Sequence, residues 1–334
     1  MATDAPERVE ADDEDDESGS AVPHPAFEPY AAESPPAATV GAPGKGGCLE
    51  LTFAPDADGE TRMVRDLART PFHVSGTLGH DPYPGAETVF VQSPSGGVAQ
   101  GDRHDVTVTA RSGAVAHVTT ASSTKVLSMT HNYAAADVSL SVGADAHLDY
   151  VPEPTILHPD ARFAQETRLD VDPAGSAVVG EVVVPGRLAR GEYFDFEQYL
   201  SRLRVRSDGD LLVDDATHLR PAESDPSAAG VMGEFAVLGT LYVVAPAADA
   251  DALSDRLHGA AVGASVAAGD DDGDTGSDTD DTVRAGATAL PNDAGVAVRA
   301  LGHRAETVTA ALRAAWGEAR EELLGVGAPD ARRP

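Results

Sequence analysis

The sequence predicts an all-β fold with a small helical part near its C-terminal end. Short segments in which apolar and polar residues alternate recur along the chain, as in strands with one buried face. Gly, Pro and Asp turns separate these segments at spacings of about ten to twenty residues. Such spacing favours layered sheets over a regular strand and helix alternation. Periodicity alone leaves a sandwich and a β-helix open.

The first element of the chain is an acidic, proline-rich extension, residues 1–46. It contains the acidic run 12–17 and is rich in Asp, Glu, Pro, Ser and Ala. Such a composition cannot bury enough apolar surface to offset the entropy lost on ordering, so we expect this extension to be disordered. Residues 47–330 are then predicted to form one β domain.

Alternation between apolar and polar residues assigns the strands of this domain. A turn follows the first strand at residues 55–59, and a Ser-Gly turn joins the two strands on either side of residues 112–113. The predicted strands cover residues 48–53, 61–67, 71–74, 106–111, 115–120, 136–142, 147–151, 162–171, 177–184, 192–205, 210–214 and 294–301.

Two helices and one insertion complete the predicted elements. Leu253 and Leu257 stand at helical spacing within 247–261, and a longer amphipathic helix is predicted over 305–324. Between them, the stretch 269–282 reads as an acidic low-complexity insertion. It lacks the residue register of an EF-hand calcium loop, so we interpret it as a solvated loop.

The densest motif is the loop 93–103. Gly96, Gly97 and Gly101 allow positive φ angles or close backbone approaches, which predicts a loop of defined shape. After the two strands that follow comes Lys125, one of only two lysines in the chain.

Composition excludes several classes of function. The formal net charge is −31, so the chain repels phosphate backbones and nucleic-acid binding is not expected. Acidic residues throughout the chain and scarce lysine indicate a salt-loaded cytoplasm, where screening weakens self-repulsion. The single cysteine, Cys48, excludes an internal disulfide. No apolar run is long enough for a membrane span and the N-terminus does not read as a signal peptide, so we expect a soluble cytoplasmic protein.

Catalytic constellations are not evident in the sequence. Ser95 lacks the G-x-S-x-G context of a nucleophile elbow. The carboxylate pairs Asp102 with Asp105 and Glu192 with Asp195 are weak signals in so acidic a chain. The histidines lack the paired helical spacing of a zinc site, and structural roles are the simpler interpretation. The histidines considered are His104, His117, His131, His147 and His158.

Four motifs together resemble a known family. The segments P-S-G-G-V-A-Q-G-D-R at 94–103 and T-T-A-S-S-T-K-V at 119–126 resemble the signature of the urease accessory proteins UreD (UreH). The segments at 146–156 and 186–194 are similar to two further family motifs, in the right order. The resemblance covers residues 47–324 and implies a β-helix-like fold of layered sheets. The family's terminal helix carries a Trp and an Arg, here Trp316 and Arg320, whereas its usual aromatic tail is replaced by 329–334.

The resemblance implies a maturation factor of a halophilic archaeal type rather than an enzyme. Such proteins bind apo-urease together with UreF and UreG and help nickel, with carbon dioxide, reach the urease active site. No tightly bound cofactor is implied, and nickel would pass in transit through weak oxygen and nitrogen ligands. A structural adaptor for urease is the alternative within the family. Outside it, a β-solenoid binding protein of other purpose and a carbohydrate-active β-helix enzyme remain open.

The resemblance also selects candidate residues for partner binding or a metal path. The competing interpretation is structural, with Arg103 and Lys125 paired to carboxylates and Glu192 acting as one such partner. The candidates are Asp102, Arg103, Thr119, Thr120, Lys125 and Glu192.

Overall fold

A computed structural model describes residues 24–34, 44–79, 81–267 and 282–329. Within them the predicted all-β class with a C-terminal helix is confirmed, since strands dominate and helices are few. The strands are β1 Gly46–Pro55, β2 Thr61–Arg69, β3 His73–Leu78, β4 Glu87–Gln92, β5 Arg103–Ala110, β6 Val115–Thr120, β7 Thr124–Val126, β8 Ala134–Val142, β9 His147–Tyr150, β10 Thr155–Leu157, β11 Arg162–Val171, β12 Ser176–Val184, β13 Gln198–Ser207, β14 Asp210–Leu219, β15 Val237–Val244, β16 Val283–Ala289 and β17 Gly295–Gly302.

These strands form two sheets that the chain visits in turn. The seven-stranded sheet has the order β14-β13-β11-β8-β5-β1-β2, and the ten-stranded sheet has the path β16-β17-β15-β12-β9-β6-β4-β3 with β7 and β10 beside it. From β4 to β13 the longer strands alternate between the sheets. Each of them up to β11 pairs in parallel with the next longer strand of its own sheet. This is the coiled, layered arrangement of a β-solenoid.

Alternating side chains build the core between the sheets. In β1, Leu49, Leu51 and Phe53 are buried, and each stands beside a buried residue of β5 in the parallel register. Repetition of this pattern stacks apolar side chains into ladders that fill the coil. Each fully buried aliphatic side chain contributes about 1.5 to 3 kcal/mol. The predicted strand alternation therefore determines which face of each strand lies inside.

Two long helices cover the outer face of the ten-stranded sheet. Helix α2 spans Ala250–Ala267, and α3 spans Ala305–Leu324, the bounds predicted for it. Their apolar residues, including Leu257 and Trp316, pack with side chains of β12, β15 and β17. The sequence placed α2 at 247–261, so the helix starts and ends later than predicted. The predicted acidic insertion lies outside the described residues except for its last position.

Part of the N-terminal extension is folded, so the prediction of disorder is wrong for residues 24–34. A 3-10 turn, Pro25–Phe27, leads into the short helix α1, Glu28–Ala31. Phe27 is completely buried on the outer face of the seven-stranded sheet, in a cluster with Tyr133 and Leu200. The prediction rested on the average composition of the extension, which does not reveal such local apolar contacts. Residues 1–23 and 35–43 lie outside the described residues.

The predicted strand 192–205 is also corrected, because β13 begins only at Gln198. The preceding residues form a 3-10 turn, Leu188–Arg190, and a loop. Gly191 and Phe194 have φ angles of 75° and 57°, which a strand does not adopt. Glu192 therefore lies in a loop rather than on a strand.

Candidate functional site

The two motif loops predicted from the sequence meet side by side. The Val98 amide donates to the carbonyl of Lys125 (2.8 Å), and the Leu127 amide donates to the carbonyl of Val98 (2.9 Å). Gly97 has a φ of 147°, and a Cβ atom there would lie 2.6 Å from the Lys125 carbonyl oxygen. Because only glycine fits this approach, the glycine pair fixes one loop against the other. Gly96 and Gly101 also have positive φ, of 81° and 77°.

Asp102 is a buried anchor for the backbone around this loop. Its Oδ1 accepts the amides of Gly44 (2.9 Å) and Lys45 (2.8 Å), and its Oδ2 accepts the amide of Ala99 (2.9 Å). The Lys45 ammonium lies 3.8 Å from Oδ2. The carboxylate is completely buried, so its charge is balanced by these donors. Its contacts are those of a structural residue.

Arg103 binds backbone and amide oxygens rather than the carboxylate side chain expected by the structural interpretation. Its Nη1 donates to the carbonyl of Tyr133 (2.6 Å) and to that of Asp102 (2.9 Å). Its Nη2 donates to Oδ1 of Asn132 (2.9 Å), and the guanidinium lies 4.2 Å from the centre of the Tyr133 ring. Arg103 thus joins the glycine loop to the start of β8.

Glu192 does form an ion pair, with Arg187 in its own loop. Nε of Arg187 donates to Oε2 of Glu192 (2.7 Å) and Nη2 donates to Oε1 (2.5 Å). These hydrogen bonds lower the pKa of the Glu192 carboxyl. The two threonines hold the strand ends: Thr119 donates to the carbonyl of Val151 (2.7 Å), and the Thr120 hydroxyl accepts the Glu153 amide (2.9 Å).

Lys125 is exposed and lies at a small cavity of about 130 Å³ between the two motif loops. Thr120, Gly96 and Gly97 share this cavity, whereas Asp102, Arg103 and Glu192 are not in its lining. The six candidates are therefore not gathered at one site. Their binding of a partner or a metal stays a prediction. The full lining comprises Phe72, Val91, Ser93, Gly96, Gly97, Val98, His104, Thr120, Ser122, Ser123, Thr124 and Lys125.

A buried charge network, which sequence reasoning did not find as a unit, fastens α3 to the ten-stranded sheet. Arg320 donates to Oδ2 of Asp149 and to Oδ1 of Asp81 (2.5 Å), and neither its side chain nor that of Asp149 has any exposed surface. Trp316 Nε1 donates to Asp149 Oδ1 (2.7 Å), and His147 Nε2 lies 3.1 Å from the same oxygen. Helix and sheet are thus joined by polar as well as apolar contacts.

The two carboxyls of this network have opposite pKa shifts. Burial alone would raise the pKa of Asp149, but His147 and Arg320 outweigh it and hold that pKa below its usual range. Burial raises the pKa of Asp81, and the opposing effect of Arg320 is smaller. The lowered pKa of Asp149 thus reflects its charged neighbours, whereas the raised pKa of Asp81 reflects its burial.

A second polar group missed by sequence reasoning lies inside the coil. Glu181, on β12, accepts a hydrogen bond from the Tyr199 hydroxyl (2.6 Å) and a longer one from the Gln165 amide (3.4 Å). Burial raises the pKa of Glu181, so its charged form is costly. The sequence carried a sign of it, because Glu181 is the one charged residue in the apolar run 177–185. No comparable sign marks Asp149.

Glu181 and its neighbour Gly180 separate two cavities. One, of about 230 Å³, lies against α3 and includes His117, Thr119 and Trp316 in its lining. The other, of about 20 Å³, includes Gln165 and Tyr242. Glu181 and Gly180 line both, so this part of β12 lies between the helix side and the interior of the coil.

The described ranges contain neither a ready metal site nor a helix that could span a membrane. No group of three or more His, Cys, Asp or Glu side chains there is arranged to hold a metal ion. None of the helices in the same ranges is long and apolar enough to cross a membrane.

The fold and these sites define a class: a β-solenoid-like protein with a docked helical pair and polar cavities beside it. A sequence model described as UreD urease accessory protein matches residues 45–334. The chain therefore belongs to the UreD family of urease accessory proteins, and the resemblance inferred from the motifs is confirmed. Membership supports a role in urease maturation.

Named relatives agree with this assignment. The chain is 60% identical over 312 residues to the urease accessory protein UreD of Haloarcula marismortui, covering 93% of this chain and 98% of that protein. The UreD of Natronomonas pharaonis is 48% identical, with 94% and 99% covered. UreD 2 of Brucella suis is 31% identical, with 89% and 94% covered. The similarity thus spans the folded chain in both archaeal and bacterial relatives.

Proposed function

We propose that this protein acts in the cytoplasm as a non-catalytic urease maturation factor. In this role it binds apo-urease together with UreF and UreG and assists nickel insertion into the urease active site. Membership in the UreD family supports the general role. The observation that supports the metal step is the position of Glu181, an acidic residue that lines two cavities.

Glu181 has the chemistry needed for a transient cation site. Its carboxylate is costly to ionise where it lies, so an entering divalent cation would favour the charged form and displace the proton. One carboxylate with hydroxyl and amide neighbours offers nickel few strong ligands, which permits release as well as binding. Tyr199 and Gln165 hold the side chain in place meanwhile.

The test is nickel-dependent urease activation in a host that lacks its own copy of this gene. Glu181→Gln keeps the size and the Tyr199 hydrogen bond but removes the charge, so we expect a folded variant that binds UreF and activates urease poorly. Glu234→Gln, an exposed acid that contacts Arg284, is the matched control and should activate normally. Full activation by Glu181→Gln would place the metal step elsewhere and favour an adaptor role.

The sequence-derived candidates enter the same assay. Asp102→Asn and Glu192→Gln, if folded and able to bind UreF, should activate urease poorly only if these carboxylates contact nickel. Normal activation by both would leave them the structural roles that their contacts with the Gly44 amide and Arg187 describe. Full urease activity after deletion of the gene, at ordinary micromolar nickel, would contradict the maturation role.

A further inference from the structure

The small cavity between the two motif loops has an unusual lining for this protein. Its volume is about 130 Å³, and the twelve residues around it, all within the described ranges, include no Asp or Glu. The chain as a whole contains 55 acidic residues against 24 lysines and arginines. A lining without carboxylates but with a lysine therefore forms a local exception to the negative charge of the molecule.

The lysine at this cavity is not neutralised by the protein. Of the two lysines in the chain, Lys45 has its ammonium 3.8 Å from the carboxylate of Asp102. Lys125 has no carboxylate within salt-bridge distance among the residues that the structure describes. Its positive charge is thus available to something outside the chain.

His104 supplies a second, independent observation. The residue is only 7% exposed, and its Nε2 is buried with no hydrogen-bond partner in the described part of the chain. Burial lowers the pKa of His104, so the neutral ring can carry its one proton on Nε2. A buried polar atom left unsatisfied costs about 1 to 3 kcal/mol. This nitrogen is itself inaccessible to water, so a ligand in the cavity would reach it and remove that cost only after the His104 ring shifts.

The remaining polar groups of the lining are hydroxyls able to donate. Ser122 and Ser123 come from the loop before β7, and Thr124 is the first residue of β7. Thr120 uses its oxygen to accept the Glu153 amide, which leaves its proton free. The volume has room for about four water molecules, or for one small polyatomic ion. A cation, hydroxyl donors and the absence of carboxylates are together the features of an anion site.

We propose that this cavity binds a small oxyanion of the bicarbonate or phosphate type. Lys125 supplies the charge, the hydroxyls of Ser122, Ser123 and Thr124 supply hydrogen bonds, and His104 and the glycine pair complete the lining. The inference is independent of nickel transfer and would stand if the metal step failed. Under this proposal, the lysine of the motif at 119–126 binds an anion rather than a carboxylate of the protein.

Scarcity of lysine makes a direct test practical. The full chain is labelled with 13C at lysine Cε, which gives two signals, and is kept folded in molar potassium glutamate. Bicarbonate and phosphate are titrated separately. We expect a saturable shift of the Lys125 signal with at least one of them and little change at Lys45. Saturation at a lower concentration of bicarbonate would indicate a site for a planar anion, and saturation at a lower concentration of phosphate would indicate a site for a tetrahedral one.

Charge variants distinguish anion binding in the cavity from a general effect of the net charge of the protein. Lys125→Met should weaken binding at least about tenfold by calorimetry, because a charge-assisted contact is lost. Lys45→Met removes the same charge outside the cavity and should leave affinity within about twofold, while Lys125→Arg should retain part of it. Thermal melts confirm that each variant is folded. Equal affinity of Lys125→Met and the unmodified chain, or no saturation with either anion, would overturn the proposal.

Discussion

Arg320 shows how much one buried side chain can determine. Its guanidinium pairs with the carboxylates of Asp149 and Asp81, and neither acid has another arginine or lysine partner among the described residues. Within that part of the chain, Arg320→Met leaves Asp81 without a cationic partner and Asp149 with only His147 and Trp316 beside it, so the free energy of unfolding should fall by about 3 to 5 kcal/mol. Urea unfolding at high salt, followed by circular dichroism, measures the loss.

Arg256→Met is the matched control for this prediction. Arg256 also bridges to α3, through Glu318 and Glu322, but this contact lies at the surface. Solvent screens the pair, so the change in unfolding free energy should be much smaller than for Arg320→Met. Equal losses in the two variants would show that burial of the Arg320 network contributes little.

The raised pKa of Glu181 predicts a pH-dependent stability. Below the unfolded pKa of the carboxyl both states are protonated, so Glu181→Gln and the unmodified chain should be about equally stable. As pH rises, the unfolded state loses its proton first, and ionisation then favours unfolding. Glu181→Gln should therefore be the more stable form at neutral pH, by melting temperature. A less stable Gln variant at neutral pH would contradict a costly charge at this half-buried position.

Single residues were the least predictable level from sequence. Glu181 could have been found, because a lone charge in an apolar run indicates an acid that is at least partly buried. Asp149 could not, since one aspartate on an alternating strand looks like any other among 55 acidic residues. Its partner Arg320 stands 171 positions away in the chain, and Asp81, the other acid that Arg320 contacts, stands 68 positions away, so only the fold brings the three together.

At the scale of elements, the glycine pair gives a sharp comparison. Both glycines have positive φ, but only Gly97 faces the Lys125 carbonyl, at 2.6 Å from the position of a Cβ atom. Gly96→Ala should cost about 1 kcal/mol, from strain in φ alone. Gly97→Ala should cost about 3 kcal/mol or more, because the clash adds to the strain, and Gly97→Val more still. Denaturant unfolding of the variants tests this order.

The outcome that would contradict this comparison is equal stability of Gly96→Ala and Gly97→Ala. It would mean that the two motif loops separate without loss and that their contact is incidental.

Elements were predicted well where alternation or helical spacing is strong. The strands 115–120 and 162–171 and helix α3 have the predicted bounds, since their apolar residues repeat regularly. The strand predicted at 192–205 begins too early, because the turn at Gly191 and the contacts of Glu192 place its first residues in a loop despite their apolar neighbours. The prediction of disorder failed for residues 24–34 because Phe27 packs on the outer face of the seven-stranded sheet. The sequence alone does not show that this face is apolar there.

For the whole molecule, the net charge determines how stability depends on salt. With a formal charge of −31, the folded chain repels itself unless ions screen it. The Debye length rises from about 3 Å in molar salt to about 10 Å at 0.1 M. The melting temperature should therefore fall as potassium chloride is diluted over that range. Equal melting temperatures across the series would contradict adaptation to high salt.

The parallel coil was beyond reach of periodicity, which could not distinguish it from a sandwich. Alternation marks which residues face inward but not which strand is the neighbour, because both architectures bury the same face. The motif resemblance supplied that information, and the pairing of β5 with β8 and of β6 with β9 confirms it.

The buried position of Trp316 has a practical consequence. It is the only tryptophan in the chain, it is 4% exposed, and its indole N–H is bound to the carboxylate that also holds Arg320. Its fluorescence therefore reports one event, the seating of the terminal helix on the sheet, without any introduced dye. Emission that changes before the dichroism of the strands would reveal that the helix detaches while the coil is still intact.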